Sequence, residues 1–292
     1  MIDLLRRLRL GESQPGSRGD DGPGQPRPPR IALLTLASAA SAGAAERFAA
    51  LHRDSLALVG LSNPYRRNAG GPVGQMMRHL RRSGPGLLPY LVVNMSVPRL
   101  AAALRPGPLA RLCREAGVPV VTVEDVNGPA FAEAFRASGA EVIVTFHFDQ
   151  ILSGETIAIA PLGGINVHPS LLPRHRGPFP TFWAGMEEEP CHGVTIHRLV
   201  PRIDAGPVIV QRAVALPPGT TASAAARHLH DAAVPLAGEA LACLAAGLAP
   251  GPPAPTLPYC PFPSRADLRT ARRRGLRLVD LADLWAAVHA RL

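Results

Sequence analysis

The chain has 292 residues, of which 47% are hydrophobic and 18% are charged, a size that suits one large domain with appendages or two small domains. All 31 basic residues are arginine, which excludes a P-loop lysine, a Schiff-base lysine and a serine–lysine pair. The formal net charge is +9, but the chain also holds 32 prolines and 28 glycines. We therefore interpret the arginines as a coding bias as much as a selected basic surface.

The cysteines and the first residues bear on the cellular compartment. Four cysteines lie far apart, without a C-x-x-C pair: Cys113, Cys191, Cys243 and Cys260. This spacing predicts reduced thiols, and the absence of an export signal in MIDLLRRLRL predicts a cytoplasmic protein. The apolar stretch around residue 240 is interrupted by Glu239 and Pro250, so we expect no membrane span.

The first half of the chain alternates between strand and helix patterns. Residues 1–30 are predicted to be a disordered tail, because 11–30 contain almost no large apolar side chain. Strand patterns follow at 31–38, 56–63, 118–124 and 141–147, and helix patterns at 44–54, 71–84, 108–117 and 129–139. Residues 90–96, followed by 97–105, continue the alternation. The pattern predicts an α/β fold with a doubly wound, mostly parallel, Rossmann-like sheet.

The second half departs from this alternation. Strand patterns occur at 163–168, 193–200 and 206–216, and the last two are joined only by PRIDA, which predicts an antiparallel pair. Residues 220–247 read as a helix despite Pro235. From 251 the sequence reads as an extended linker and a short helical tail. We therefore predict a catalytic domain at 31–250 and a C-terminal extension at 251–292.

The strand pattern at 163–168 carries Asn166 and His168, which must share one face because they are two residues apart. Ligands bind at the carboxyl ends of strands in such sheets. Taken alone, the pair is better explained by a carbonyl-bonded histidine beside a turn-forming asparagine. Asp204, which an Asx turn would also explain, shifts the balance, because a carboxylate beside an imidazole tunes a proton carrier. The three residue types suit acyl transfer to a nucleophile carried by the substrate, most simply an amine.

The stretch GGINVHPSLLPRHRG, followed by GVTIHRLVPRIDAGPVI, resembles the signature of the formyltransferases that use 10-formyltetrahydrofolate. That family includes glycinamide ribonucleotide, methionyl-tRNA and amino-sugar N-formyltransferases. The resemblance covers residues 31–250 in strand order. It implies that Asn166 polarises the formyl oxygen, that His168 shuttles the amine proton and that Asp204 tunes His168.

The resemblance also implies which residues hold the 10-formyltetrahydrofolate co-substrate. SLLP at 170–173 would line the folate and substrate cleft, the loop at 200–204 would meet the pterin, and TFHFDQIL at 145–152 would form the pterin-side loop. The implied contacts are Phe146, His147, Phe148, Ser170, Leu171, Leu172, Pro173, Val200, Pro201, Arg202 and Ile203. The pterin-side loop departs from the family pattern, since Phe148 and Asp149 replace small residues.

The implied reaction is formyl transfer to a primary amine of a small-molecule acceptor, either an amino sugar or a biosynthetic intermediate, through a tetrahedral intermediate. The ending PS-x-ADLR, then RG-x-RLVD, resembles that of small-molecule formyltransferases, and 251–292 is too short for the barrel of tRNA-directed members. Three alternatives stay open: a methionyl-tRNA formyltransferase-like enzyme without the barrel, a formylfolate hydrolase, and a non-catalytic folate-binding protein.

Other kinds of site receive little support. The histidines at 147, 175, 192 and 197 lack metal-ligand spacing, so we expect no metal. No G-x-G-x-x-G follows the first strand, which argues against a nicotinamide or flavin enzyme. The arginine run at 269–277 is interpreted as a solvated helix face, with phosphate contact as the alternative. We expect no nucleic-acid or membrane partner, and the sequence allows a homodimer.

Overall fold

The computed structural model describes residues 27–65, 70–104, 106–248, 251, 255 and 257–290. Within these ranges one sheet contains seven strands: β1 (Ile31–Thr35), β2 (Leu56–Ser62), β3 (Val120–Val123), β4 (Val142–Phe146), β5 (Gly164–His168), β6 (Gly193–Arg198) and β7 (Val208–Ala213). The strand order is β3-β2-β1-β4-β5-β6-β7. The first five strands in this order run parallel to one another, and β6 is antiparallel to both of its neighbours, β5 and β7. The predicted fold class is confirmed.

Helices cover both faces of the sheet. They are α1 (Ala42–Leu51), α2 (Gly71–Ser83), α3 (Pro85–Leu104), α4 (Pro108–Ala116), α5 (Pro129–Ser138), α6 (Gly154–Ala158), α7 (Pro180–Gly185), α8 (Ala222–Ala245), α9 (Arg265–Arg273) and α10 (Leu281–His289). A short 3₁₀ turn lies between α1 and β2.

The core consists of two layers separated by the sheet. Strands β1 and β4 are buried along their whole length, because IALLT and VIVTF offer apolar side chains to both faces. On one face of the sheet, Phe48 of α1 and Leu229 of α8 pack against side chains of the strands. On the other face, Phe131 and Phe135 of α5 pack against the strands. Full burial of each such side chain contributes about 1.5–3 kcal/mol. The two core layers therefore cover opposite faces of the sheet.

Residues 90–96 correct the predicted alternation, because they are helical. They belong to α3, which contains a π-helical turn at Val92–Ser96. Tyr90, Val93 and Asn94 are buried at helical spacing. The Asn94 side chain donates to the Tyr90 carbonyl at 3.1 Å and accepts from the Ser223 hydroxyl at 2.9 Å. The short apolar run has no hydrophobic period that distinguishes a strand from a helix, so its secondary structure is determined by tertiary packing.

Helix α3 is also long and apolar enough to cross a membrane, with a mean hydropathy of 1.4. Length and composition alone do not separate such spans from helices that pack inside a folded domain. In this fold α3 packs against α10, with Val93 beside Ala287 in one cluster. The expectation that no segment spans a membrane stays a prediction.

The C-terminal segment at 257–290 packs onto the sheet-bearing part of the chain. Asp283 of α10, almost fully buried, forms an ion pair with Arg227 of α8 at 2.6 Å and accepts from the Thr221 hydroxyl at 2.7 Å. Ser264 and Asp280 begin α9 and α10 with capping boxes. The arginines at 269, 272, 273, 274 and 277 are exposed. The division into domains at residue 250 stays a prediction.

The described chain makes contacts from Arg27 onwards, and residues 1–26 of the predicted tail lie outside the described residues. Arg27 pairs with Glu141 at 2.8 Å, and the Arg30 backbone N–H donates to the same carboxylate at 2.9 Å. The boundary of the predicted tail at residue 30 stays a prediction.

Candidate functional site

The three residues predicted to act together lie at the carboxyl end of the parallel strands. Asn166 and His168 end β5, and Asp204 lies in the connection between β6 and β7. All three line one cavity of about 270 Å³. His168 Nδ1 lies 3.5 Å from Asp204 Oδ1, and Asn166 Nδ2 lies 3.5 Å from the same oxygen. The structure brings the three side chains together, and their chemical roles stay a prediction.

His168 is placed so that protonation would satisfy both of its ring nitrogens. Its Nδ1 faces the Asp204 carboxylate, and its Nε2 lies 3.2 Å from the carbonyl oxygen of His175. Both partners only accept hydrogen bonds, so the neutral ring satisfies one of them and the imidazolium satisfies both. This surrounding suits a group that gains a proton for part of a reaction cycle.

The pKa values follow from burial and charge. Burial lowers the pKa of His168 below its ordinary value, although Asp204 and the His175 carbonyl act in the opposite direction. Burial alone would raise the pKa of Asp204, but the His168 imidazole and the Gly177 N–H are among the groups that outweigh it and lower that pKa to about 2. At neutral pH the carboxylate is therefore ionised, and the His168 imidazole is neutral and able to accept a proton.

Two neighbours fix the orientation of the Asn166 amide. The Thr145 hydroxyl donates to Oδ1 at 2.6 Å, and Nδ2 lies 3.0 Å from His197 Nε2. His197 Nδ1 lies 2.9 Å from the carbonyl oxygen of Arg198, so Nδ1 carries the proton and Nε2 accepts from Asn166. The amide therefore presents its N–H groups, and not its oxygen, to His197 and Asp204.

The loop that carries Asp204 is held by the segment after β5. Asp204 has a φ of 48°, a left-handed conformation that is uncommon for a residue with a side chain. The Gly177 N–H donates to Asp204 Oδ2 at 2.8 Å. The buried Arg176 guanidinium donates to the carbonyls of Ile203 and Asp204 at 3.1 Å and to that of Leu257 at 3.1 Å. The R-G pair of PRHRG thus fixes the Asp204 backbone and side chain.

Some side chains of the predicted pterin-side loop line the cavity, and others lie in the core. Phe148 and His147 line the cavity. Phe146 does not line it, and its predicted contact with the pterin stays a prediction. As the last residue of β4, its ring is fully buried, 5.1 Å from the ring of Phe48. The centroid of the His147 ring lies 5.6 Å from that of the His230 ring on α8.

The SLLP element, residues 170–173, is not among the residues that line the cavity, and its predicted contacts with the co-substrate stay a prediction. The element turns away onto β6 and β7. The Thr195 hydroxyl donates to the Ser170 carbonyl at 2.7 Å and accepts from the Leu172 N–H at 3.0 Å. Gln211 donates to the Leu172 carbonyl at 2.8 Å. The cavity wall is formed instead by Pro169 and by residues 177–181.

The loop after β6 contributes only part of the predicted contacts. Val200 and Ile203 line the cavity, whereas Pro201 and Arg202 are exposed and do not. Arg202 lies beside a separate surface depression with Tyr259. In the same loop the carbonyls of Ile203 and Asp204 accept hydrogen bonds from Arg176.

Several cavity residues were missed by the sequence reasoning. His197 was considered only as a metal ligand, Thr145 only as part of the pterin-side loop, and His230 was not considered at all. The antiparallel pairing of β5 with β6 places Asn166 opposite His197, so strand register could have indicated this contact. Within the described ranges, no group of three or more His, Cys, Asp or Glu residues is arranged to hold a metal ion.

Comparison with protein families and curated sequences gives two findings. A family model described as formyl transferase matches residues 94–241. A methionyl-tRNA formyltransferase from a Methylobacterium species is 40% identical over 137 residues. That match covers 47% of this chain and 43% of the relative, so it spans less than half the length of that relative.

Solved structures show the same fold at low sequence identity. A glycinamide ribonucleotide transformylase from Symbiobacterium toebii has a TM-score of 0.54 and 21% identity, covering 79% of this chain and 94% of its own. A sugar N-formyltransferase from a Shewanella species has a TM-score of 0.50 and 16% identity, covering 89% of this chain and 87% of its own.

Proposed function

Because this chain belongs to the formyl transferase family, we propose that it transfers the formyl group of 10-formyltetrahydrofolate to a primary amine of a small-molecule acceptor. The observation that carries this proposal is the convergence of Asn166, His168 and Asp204 on one cavity. A proton carrier, its carboxylate partner and an oriented amide donor are the groups that acyl transfer requires.

The cavity suits the pterin end of the co-substrate. Apolar side chains of Phe148, Leu152, Leu199 and Val200 line it and would pack against a flat ring. Its volume of about 270 Å³ is close to the lower end of the ~300–1,000 Å³ range of small-molecule pockets. A ring and its formyl substituent fit this space, and the rest of the folate would extend outward. When bound, the co-substrate supplies an activated formyl carbon.

The side chains would act on the reaction in three ways. The Asn166 N–H that lies 3.5 Å from Asp204 Oδ1 would turn to the formyl oxygen as negative charge develops there, while the other N–H stays on His197. One such donor contributes roughly 3–4 kcal/mol in other enzymes. His168 accepts the proton that the attacking amine loses when the new carbon–nitrogen bond forms. It returns this proton to the folate nitrogen when the old carbon–nitrogen bond breaks. Asp204 stabilises the imidazolium between the two transfers.

The cavity lining favours a small acceptor. Among the residues that the structure describes, the lining of this cavity includes no arginine, which favours an acceptor without a phosphate beside the reacting amine. Methionyl-tRNA is the second candidate acceptor, because the 40% identical relative is a methionyl-tRNA formyltransferase. Both acceptors require the same chemistry at Asn166, His168 and Asp204.

A direct assay tests the proposal. The protein is incubated with 10-formyltetrahydrofolate and a panel of amines that includes nucleotide-linked amino sugars and methionyl-tRNA. We expect tetrahydrofolate release together with an acceptor mass increased by one formyl group in place of hydrogen. Tetrahydrofolate release without any amine would instead indicate a hydrolase. Folate binding without release, with every amine, would indicate a non-catalytic protein and would reject the proposal.

A further inference from the structure

The carbonyl group that faces His168 belongs to a residue with an uncommon backbone conformation. His168 Nε2 lies 3.2 Å from the carbonyl oxygen of His175. His175 has a φ of 55°, in the left-handed region that residues with a side chain seldom adopt. Such a conformation persists only where the surrounding contacts hold it. The direction of this carbonyl therefore depends on the contacts that hold residue 175 in place.

The backbone on either side of His175 is fixed by hydrogen bonds. The Ser170 hydroxyl donates to the Arg174 carbonyl at 3.1 Å. The Cys260 N–H donates to the Arg176 carbonyl at 2.7 Å. The two neighbours of His175 are thus anchored, and the remaining freedom is the rotation of residue 175 itself.

Glu187 holds the side chain of His175. Nε2 of His175 lies 2.9 Å from Glu187 Oε1, and the two side chains are 8% and 23% exposed. A carboxylate only accepts, so Nε2 carries the proton and donates it in a charge-assisted hydrogen bond. The same oxygen pairs with Arg174 at 2.5 Å. The Glu187 N–H donates to the Ala184 carbonyl at 3.3 Å, so Glu187 connects the end of α7 to the loop that faces His168.

The groups around His175 keep its ring neutral. Burial lowers the pKa of His175, the hydrogen bond and the charge of Glu187 oppose this effect, and Arg174 acts in the same direction as burial. A neutral ring with its proton on Nε2 keeps the hydrogen bond to Glu187 at neutral pH. The other titratable groups that interact with His168 or His175 are Asp204, His197 and His192.

We propose that Glu187 is a positioning residue for the formyl transfer: it holds His175 so that the His175 carbonyl accepts a hydrogen bond from Nε2 of protonated His168. Asp204 stabilises the imidazolium at Nδ1, and the His175 carbonyl does so at Nε2. This inference rests on the proposed function for the role of His168 as the proton carrier. The contacts that lead from Glu187 to His168 do not depend on it.

Two substitutions at Glu187 separate its oxygen from its charge. Glu187→Ala removes the oxygen that accepts from His175. Glu187→Gln keeps an oxygen at that position but carries no charge. Glu188→Ala is the matched control, since Glu188 is the next residue in the same run of three glutamates and is exposed.

With an amine that the wild-type protein formylates, Glu187→Ala is expected to lower kcat about tenfold, the effect of one lost hydrogen bond to the charged His168. KM for 10-formyltetrahydrofolate should stay within about twofold of the wild-type value, because Glu187 is not among the residues that line the cavity. Glu187→Gln should recover most of kcat, and Glu188→Ala should behave as wild type. A wild-type kcat in Glu187→Ala overturns the inference.

A double-mutant cycle shows whether Glu187 acts through His175. His175→Asn removes the imidazole and places there a residue that tolerates the left-handed backbone. In this background Glu187→Ala should lower kcat no further. Arg174→Met removes the other partner of Glu187, whose side chain is 48% exposed, and should keep kcat within about twofold of the wild-type value. Additive losses in the cycle, or a loss in Arg174→Met as large as that in Glu187→Ala, overturn the inference.

A measurement on the free protein keeps this result distinct from failure of the proposed function. The ¹⁵N resonances of the His168 ring are followed through a pH titration without folate or amine. The pKa of His168 should be lower in Glu187→Ala than in the wild-type protein, because the raising effect of the His175 carbonyl is lost. The exposed His228 of α8 should titrate equally in both. An unchanged His168 pKa overturns the inference whether or not any amine is formylated. A lowered His168 pKa in a protein that formylates no amine rejects the proposed function and supports the positioning of His168 by Glu187.

Discussion

At the scale of single residues, the site depends on the direction in which the Asn166 amide points. A free amide could rotate and present its oxygen to the cavity, where it would repel a developing oxyanion. The Thr145 hydroxyl opposes this rotation because it donates to Oδ1 at 2.6 Å, and His197 opposes it by accepting from Nδ2 at 3.0 Å. Thr145 is therefore a positioning residue, which acts through Asn166.

Thr145→Val tests this orientation with a side chain of the same shape and no hydroxyl. We expect kcat to fall about tenfold, because one hydrogen bond that selects the amide orientation is lost. KM for 10-formyltetrahydrofolate should change little, and Thr145→Ser should recover most of kcat. Steady-state kinetics measure both constants, with Thr122→Val on the exposed face of β3 as the control. A larger effect on KM than on kcat would assign Thr145 to packing instead.

The charge of Asp204 should appear in the pH dependence of the reaction. Asp204 raises the pKa of His168 against the lowering effect of burial. In Asp204→Asn this contribution is absent, so the His168 pKa should fall further below its ordinary value. We expect kcat to decrease roughly 10³-fold, and the acid limb of the residual pH–rate profile to move to lower pH. A limb that stays in place, or moves to higher pH, would contradict the assignment of His168 as the proton acceptor.

At the scale of elements, the hairpin of β6 and β7 fixes Asp204, and the D-x-G sequence explains how. A Cβ atom at Gly206 would lie 1.8 Å from the carbonyl oxygen of Arg198, and Gly206 itself is buried. The close approach allows the Arg198 N–H to donate to the Pro207 carbonyl at 2.9 Å, which closes the hairpin. The glycine is therefore required by space, and the distance between Asp204 and β6 depends on it.

Gly206→Ala should separate the two strands at this point. We expect the free energy of unfolding to decrease by about 1–3 kcal/mol, as is usual for overpacking, and turnover to decrease because Asp204 moves with the loop. Urea denaturation and steady-state kinetics measure the two effects. Gly43→Ala in α1 is the control, because its Cβ would meet only the tip of Arg47 at 4.0 Å. Wild-type stability in Gly206→Ala would show that the hairpin adapts and does not fix Asp204.

The elements also show how far sequence patterns reach. Unbroken apolar runs predict β1 and β4 because both faces of a central parallel strand are buried. The five-residue PRIDA connection correctly predicts the antiparallel β6–β7 pair. The run at 90–96 fails because the side-chain oxygen of the buried Asn94 accepts its hydrogen bond from Ser223, 129 residues away in the chain. Such a contact has no local signature.

At the scale of the whole molecule, the same limit applies to the site. The spacing of Asn166 and His168 predicts that both side chains lie on one face of the strand. The α/β fold class predicts that they lie at the carboxyl edge of the sheet, where such folds bind ligands. The positions of Leu172 and Phe146 could not be obtained from motif membership, because residues in a motif can serve packing as well as contact. His230 joins the cavity only through the packing of α8 on the sheet, which no sequence period specifies.

The buried histidine pair also links the stability of the fold to pH. His147 and His230 have folded-state pKa values of about 3 and about 4, below the ordinary value of 6.5 for an unfolded chain. Below pH 6.5 the unfolded chain therefore binds more protons than the folded chain, so the stabilising contribution of the neutral pair is fully present above that pH and is lost as pH falls.

Between about pH 7.5 and about pH 5.5, each of these histidines should reduce the free energy of unfolding by about 1.4 kcal/mol. Urea denaturation at both pH values measures the reduction. The double variant His147→Asn, His230→Gln should show a smaller reduction, because neither side chain titrates, and asparagine tolerates the left-handed φ of 50° at residue 147. The same reduction in the double variant and the wild type would mean that these two rings take up protons equally in both states. In that case their burial would not be the cause of the acid sensitivity.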